Sequence, residues 1–88
     1  MSHARRRVTV LGSTGSIGVS TLDVIRRNPY RFELYAIAAH TSVEAMLHQC
    51  LAHQPRYAVM TDEAAAERLR QQLPASCPTD VLQGDAGI

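Results

Sequence analysis

Three glycines spaced three residues apart, Gly12, Gly15 and Gly18, mark the place where this sequence most clearly indicates chemistry. They follow a short apolar run and open an amphipathic one, which predicts a turn between a strand and a helix. Glycines in such a turn leave backbone N–H groups bare, and the first turn of the helix adds its positive dipole end. The spacing therefore predicts a cradle for a phosphate or diphosphate group, most often that of a dinucleotide.

Each glycine of this loop has its own predicted role. Gly12 permits the tight turn, Gly15 lets the backbone approach a diphosphate, and Gly18 allows the helix to pack closely on the strand. Three hydroxyl-bearing residues between the glycines would add contacts to phosphate oxygens: Ser13, Thr14 and Ser16. The alternative is a glycine-rich turn that holds no ligand.

The end of the second predicted strand is the other informative place. NAD-binding domains usually carry Asp or Glu there to bind the ribose hydroxyls. Here Ala38-Ala39-His40-Thr41-Ser42 contains no acid, and the first one is Glu44. Hydroxyls, helix N-terminal amides and an imidazole would accept the 2′-phosphate of NADP, which a carboxylate would repel. NADP is therefore favoured over NAD. His40 also fits an ordinary loop histidine, and Thr41 fits a helix cap with Glu44 completing a capping box.

Composition limits the classes of function. With 88 residues, 45% of them hydrophobic, and a net charge of +1, the chain is one globular domain at most, and neither nucleic acid nor a membrane is an expected partner. All nine basic residues are arginines, which excludes a Schiff-base or Walker-type lysine within the chain. No apolar run approaches the roughly 20 residues that span a bilayer, and no signal peptide is evident. A cytoplasmic location is therefore expected.

No constellation of residues for catalysis or metal binding is evident in the sequence. His48 and His53 lie outside the i, i+4 spacing of a paired metal site and are expected in solvent. Cys50 and Cys77 lack CxxC spacing, which indicates reduced thiols. The sequence thus predicts a cofactor site without catalytic or metal-binding residues.

The apolar pattern predicts strands at 7–11, 32–38, 57–60 and 80–82, separated by helices at 16–27, about 41–54 and about 62–73. Such alternation predicts a Rossmann-like, doubly wound parallel α/β sheet, of which this chain supplies an incomplete N-terminal βαβαβα portion. The apolar pattern of strand 1 is typical of a fully buried strand. Strands 2 and 3 are expected to follow on one side of it, with the last strand beyond strand 3. The other flank of strand 1 is then unpaired, so the sequence looks truncated.

The first two helices each have a predicted core face. In the first helix this face comprises Ile17, Thr21, Val24 and Ile25. In the second it comprises Val43, Met46, Leu47, Cys50 and Leu51.

Several longer stretches make the pattern more specific. The run from Gly12 to Gly18 is followed by Ser20-Thr21-Leu22-Asp23-Val24 and by Asn28-Pro29. Further along come Gln49-Cys50-Leu51, Pro55-Arg56-Tyr57-Ala58-Val59-Met60 and Asp62-Glu63-Ala64. Together these stretches closely resemble the amino terminus of the 1-deoxy-D-xylulose 5-phosphate reductoisomerase family, over residues 8–84.

The resemblance implies that residues 1–88 are the N-terminal part of an NADP-binding domain. The parent enzyme would be an NADPH-dependent reductoisomerase of the non-mevalonate isoprenoid pathway. It would convert 1-deoxy-D-xylulose 5-phosphate to 2-C-methyl-D-erythritol 4-phosphate with Mg²⁺ or Mn²⁺, and the family is typically homodimeric. The family's catalytic and metal-binding residues match no position here, so this piece alone is expected to be inactive.

The family pattern also implies residue roles. The positions that match its cofactor-binding loop are Thr14, Gly15, Ser16 and Ile17. The positions that match those facing the adenosine 2′-phosphate are His40, Thr41 and Ser42. Many members carry Gly-Lys-Asn or a similar basic triplet at the second place, and this chain departs from that pattern.

Two other functions fit the glycine loop. One is a non-catalytic nucleotide-sensing module that uses the same cradle without chemistry. The other is a different oxidoreductase with the same loop, such as a semialdehyde dehydrogenase or an extended short-chain enzyme. Those classes lack the Ser-Thr-Leu-Asp and Pro-Arg-Tyr-Ala-Val signatures seen at 20–23 and 55–59.

Overall fold

The computed structural model describes residues 5–84, so residues 1–4 and 85–88 of the predicted domain span lie outside the described part. Four strands alternate with three helices, and the predicted strands agree with the observed ones to within one residue at each end. The elements are β1 (Arg6–Leu11), α1 (Ser16–Arg27), β2 (Phe32–Ala39), α2 (Val43–His53), β3 (Tyr57–Met60), α3 (Glu63–Gln72) and β4 (Asp80–Gln83).

The four strands form one parallel sheet in the order β1-β2-β3-β4. Leu11 pairs with Ala38, and Met60 pairs with both Ala39 and Gln83, so the carboxyl ends of all four strands lie at one edge. Each crossover steps in the same direction, and right-handed crossovers then place all three helices on the same face of the sheet. The predicted α/β architecture and the position of β4 beyond β3 are confirmed.

The hydrophobic core lies between that face and the helices. Every second strand residue points into it, as the pleat requires. The strands contribute Val10, Ile37, Ala39, Ala58, Met60 and Val81. The helices contribute Leu22, Ile25, Met46, Cys50, Ala65, Ala66 and Leu69.

The buried face of α1 differs from the predicted one. Gly18, Leu22 and Ile25 are buried, whereas Ile17 is 84% and Val24 53% exposed. The reason is Gly18, whose hydrogen-only side chain lets α1 touch the backbone of the preceding loop and therefore fixes which side of the helix faces the sheet. The other three residues of the predicted core face, Ile17, Thr21 and Val24, instead lie along an open groove of about 320 Å³.

The start of α2 also differs from the prediction. The N-cap is Ser42, not Thr41, and no side chain caps the helix, so the predicted capping box with Glu44 is wrong. The physical reason is that the Thr41 carbonyl already accepts the Val43 N–H (2.8 Å) in a turn, which delays the helix by one residue. At the other end Gln54 adopts a left-handed conformation (φ 49°), and buried Pro55 follows. Of the five residues predicted for the core face of α2, only Leu51 is exposed.

Asp62 caps the start of α3. The Asp62 carboxylate accepts the Ala65 N–H at 2.9 Å, which satisfies one of the amides that a helix start leaves without a partner. The helix ends at Gln72, directly before Leu73 and Pro74.

Strand β1 has an unpaired flank, as predicted. Within residues 5–84 it pairs with β2 alone, and Leu11 is 65% exposed. The expectation that β1 is buried on both faces is wrong for the described residues, because no second layer covers the face that carries Thr9 and Leu11.

Within residues 5–84 no helix is long and apolar enough to span a bilayer.

Replacing Gly18 by alanine should destabilise the protein. A Cβ there would lie 2.4 Å from the Gly12 carbonyl oxygen and 2.6 Å from the Ser13 Cα, and neither backbone atom can move freely. Alanine gains about 1 kcal/mol of helix propensity over glycine, but overpacking a rigid contact usually costs about 1–3 kcal/mol or more. We expect a net loss of roughly 1–3 kcal/mol in the free energy of unfolding, measured by urea titration of circular dichroism.

The matched control is Gly15→Ala. Its Cβ would meet its nearest neighbour, the Gly12 carbonyl oxygen, at 3.4 Å, so little change in stability is expected. A Gly18→Ala variant that is as stable as Gly15→Ala would contradict the close-packing argument.

The two thiols should react at very different rates. Cys50 is fully buried, and burial, with a smaller effect of Cys77, raises its pKa to about 12. Cys77 is half-buried at the surface of the same core, and its thiol donates to the Cys50 carbonyl at 3.6 Å. Because the thiolate is the nucleophile, iodoacetamide at pH 8 should alkylate Cys77 first and leave Cys50 unmodified until urea unfolds the chain. Mass spectrometry of peptides resolves the two sites, and equal native rates would contradict this packing.

Candidate nucleotide-binding site

The glycine loop joins β1 to α1 in a tight turn. Gly12 has a left-handed backbone (φ +63°), which glycine adopts without strain, and its carbonyl accepts the Gly15 N–H at 3.0 Å. Gly15 is the N-cap of α1, and no side chain supplies a cap hydrogen bond. The predicted roles of Gly12 in the turn and of Gly18 in close packing are therefore confirmed by the geometry.

The start of α1 presents a row of free amides. The first helical hydrogen bond runs from the Val19 N–H to the Gly15 carbonyl (2.9 Å). Within residues 5–84 no acceptor contacts the N–H groups of Ser16, Ile17 or Gly18. These amides, together with the positive end of the helix dipole, form an arrangement that suits an anion. Ser16 and Ile17 are exposed and Thr14 is half-buried.

The prediction that Ser13 contacts a phosphate is wrong. It is fully buried, and its N–H donates to the Ala38 carbonyl at 3.0 Å. Its hydroxyl donates to the sulfur of Met46 at 3.3 Å, and its carbonyl accepts from the side chain of Gln49 at 2.7 Å. Ser13 is thus fixed on the inner side of the loop, between β2 and α2, because every polar group it has is already bonded.

The segment after β2 lies at the same edge of the sheet. Because Leu11 pairs with Ala38, the chain leaves β2 close to where the glycine loop leaves β1. His40, Thr41 and Ser42 are all exposed. The hydroxyl of Ser42 caps no helix amide. The glycine loop and residues 40–42 were predicted to bind parts of one dinucleotide, and the register of β1 on β2 brings the two segments to the same edge of the sheet.

The His40 ring has a defined partner. Its Nδ1 forms a hydrogen bond with the hydroxyl of Thr61, the first residue after β3. This hydrogen bond fixes the orientation of the ring, and with it the direction in which the other ring nitrogen, Nε2, points. Thr61 was missed by the sequence analysis, because only the pairing of β2 with β3 brings the two residues together.

Two residues of α2 support the glycine loop and were also missed. Met46 and Gln49 lie three positions apart and both contact Ser13. Met46 was predicted only as a core residue. Gln49 sits beside the apolar stripe of α2, and no spacing rule in the sequence distinguishes it from a solvent-facing glutamine.

No arginine lies in the two segments that form the candidate site. Neither segment 12–18 nor segment 38–44 contains an arginine. The described arginines precede or begin strands, as Arg31 and Arg56 do, or lie in the second half of helices, as Arg27 does. An anion at the glycine loop would therefore be bound by backbone amides, helix dipoles and hydroxyls.

The other histidines and acids within residues 5–84 form no metal site. His48 is exposed as predicted, but His53 is half-buried, and burial, with a smaller effect of Arg26, lowers its pKa. Within residues 5–84 no three His, Cys, Asp or Glu side chains are grouped to hold a metal ion.

Comparisons with known proteins agree with one another. The profile of the 1-deoxy-D-xylulose 5-phosphate reductoisomerase family matches residues 8–88. The reductoisomerase of Pseudomonas putida (strain W619) is 51% identical over 86 residues, which cover 97% of this chain and 22% of that protein. That of Nitrosospira multiformis is 54% identical over 82 residues, or 92% of this chain and 21% of that protein.

Solved structures give the same result. The reductoisomerase from Zymomonas mobilis in complex with NADPH superposes with a TM-score of 0.85 at 34% identity, covering 96% of this chain and 22% of that one. A reductoisomerase in complex with NADPH, fosmidomycin and magnesium gives 0.83 at 31% identity, covering 93% and 20%. The chain spans about a fifth of the length of these relatives. With a family profile over nearly all of its length, the chain belongs to the 1-deoxy-D-xylulose 5-phosphate reductoisomerase family.

Proposed function

We propose that this chain is the NADPH-binding, N-terminal part of a reductoisomerase that converts 1-deoxy-D-xylulose 5-phosphate to 2-C-methyl-D-erythritol 4-phosphate. The observation that carries the proposal is the row of amides without acceptors at Ser16, Ile17 and Gly18, which open α1 beside the end of β2. Family membership supports the reaction, and the NADPH complexes of two structural relatives support the cofactor.

The residues present fit a dinucleotide. A Cβ built at Gly12 would meet nothing within 4 Å, and the nearest atom to one at Gly15 lies 3.4 Å away, so the outer side of the loop is open. A diphosphate could approach the bare backbone there and accept from the first-turn amides of α1. The absence of an acid before Glu44 fits an adenosine that carries a 2′-phosphate.

Each predicted site residue has a place in this proposal. Gly12 would form the turn that lets the diphosphate approach the backbone. The diphosphate would then be bound by the amides and hydroxyls of the rest of the loop: Thr14, Gly15, Ser16, Ile17 and Gly18. The 2′-phosphate would be held by the exposed segment that opens α2: His40, Thr41 and Ser42. NADPH bound there supplies a hydride to the substrate, and the residues of this chain bind and orient it.

The described residues do not fit the divalent metal of the proposed reaction. No group of three metal-ligating side chains occurs within 5–84, and the acids near the site, Asp62 and Glu44, each occupy the start of a helix. We assign Mg²⁺ or Mn²⁺ and the substrate to other parts of the parent enzyme. A cytoplasmic, homodimeric parent without nucleic-acid or membrane partners belongs to the same proposal, and the two free thiols of the described chain support a reducing compartment.

An acid introduced at His40 should reverse the coenzyme preference. The wild-type chain is expected to bind NADPH more tightly than NADH, measured by isothermal titration calorimetry. In His40→Asp the new carboxylate would repel the 2′-phosphate, while it could accept from the ribose hydroxyls of NADH. We expect NADPH affinity to fall roughly tenfold to a hundredfold, with NADH affinity unchanged or higher.

His48→Asp is the matched control, because it makes the same change of charge on an exposed position of α2. It should leave both affinities close to those of the wild type. Failure of the wild-type chain to bind either dinucleotide would refute the proposed cofactor site. A His40→Asp variant with wild-type NADPH affinity would remove residues 40–42 from it.

The chain alone should not turn over substrate. Incubation with 1-deoxy-D-xylulose 5-phosphate, NADPH and Mg²⁺ should give no steady loss of absorbance at 340 nm beyond the blank, because within residues 5–84 no metal-binding group exists. Steady consumption would contradict the proposed division of the enzyme.

A further inference from the structure

Gln49 holds one particular peptide group of the glycine loop. Its Nε2 donates to the carbonyl oxygen of Ser13 at 2.7 Å, across 36 residues of sequence. The N–H and the hydroxyl of Ser13 are bonded to Ala38 and Met46. Ser13 is therefore the fixed point from which the exposed part of the loop begins.

The bond to Gln49 has a consequence on the other side of the same peptide group. The described chain contains no cis peptide, so the carbonyl of Ser13 and the N–H of Thr14 belong to one trans plane and point in opposite directions. With the carbonyl held toward α2, the Thr14 N–H faces away from α2. A flipped plane would instead present a carbonyl oxygen, which repels phosphate.

The oxygen atom of the Gln49 side-chain amide indicates that the hydrogen bond from its nitrogen to Ser13 is the reason for a glutamine here. Its Oε1 is buried and has no hydrogen-bond partner within the described part of the chain. An unpaired buried acceptor is costly, and an apolar side chain of equal length would avoid that cost. What the amide adds at this position is the bond to Ser13.

We propose that Gln49 is a positioning residue for the diphosphate: it locks the Ser13–Thr14 peptide so that the Thr14 N–H faces the ligand. This inference rests on the proposed function, since it concerns the same loop. It also makes α2 serve both ends of the coenzyme, because its start presents Ser42 and its middle supports the loop through Gln49.

Gln49→Met tests the proposal, because methionine keeps the length and removes the donor. The full chain is titrated with three probes: NADPH, ADP-ribose, which has the diphosphate without the 2′-phosphate, and 2′-AMP, which has no diphosphate. We expect affinity for NADPH and ADP-ribose to fall about tenfold, and affinity for 2′-AMP to stay within twofold. The midpoint of thermal unfolding should change little, because the Ser13 carbonyl loses its donor while the unpaired Oε1 is removed. A merely structural role for Gln49 would weaken the binding of all three probes together.

Gln72→Met, the same substitution at an exposed position of α3, is the control and should change none of these values. A folded Gln49→Met chain with wild-type affinity for ADP-ribose overturns the inference and leaves the proposed function standing, as does equal weakening of all three probes. A wild-type chain that binds no probe overturns both.

A second measurement covers a Gln49→Met variant that does not fold. In ¹⁵N-labelled wild-type chain, addition of ADP-ribose should shift the Thr14 amide resonance, while the Gln49 side-chain amide keeps its slow exchange with solvent. An unmoved Thr14 resonance in the presence of bound ADP-ribose overturns the inference.

Discussion

The contact of α1 with the loop before it constrains the rest of this structure. Gly18 lies so close to the Gly12 carbonyl and the Ser13 backbone that no other residue fits without displacing one of them. The contact fixes the rotation of α1, which turns Leu22 and Ile25 into the core and leaves Ile17 exposed. It also points the free amides at the start of α1 toward the open side of the turn. The absence of a side chain at Gly18 thus determines both the packing of a core helix and the shape of the proposed anion site.

Ser13 extends that constraint to the second helix. Its three polar groups bond to β2 and α2, so the loop is held from behind by residues that never face a ligand. A site made of backbone amides needs such support, because amides can be aimed only by fixing the chain that carries them. The loop is therefore flanked by α1 on one side and by α2 on another, and its exposed residues are Gly12 and the stretch 15–17.

The sequence was sufficient where local chemistry decides structure. The glycine spacing predicted the turn, and the short apolar run predicted β3 at its observed bounds. It failed where two distant segments meet. The helical period alone placed Ile17, Thr21 and Val24 in the core, because the pattern does not register how closely Gly18 approaches the loop. Thr41 looked like a cap, but its carbonyl was needed for a turn. Ser13 looked like a ligand contact, while Gln49 and Thr61 looked like ordinary polar residues, since their bonds span 21 to 36 residues.

The separation of charge along the strands affects how this molecule would respond to its surroundings. The described arginines lie near the amino ends of the strands, where the helices end, and neither the glycine loop nor the segment 38–44 contains one. Dissolved ions screen mainly the long-range attraction exerted by exposed cationic side chains, and much less a short contact between an anion and a backbone amide. Holding a phosphate in this way would make its retention comparatively insensitive to ionic strength. A loop without lysine also offers acylating agents and other amine-directed reagents nothing to modify.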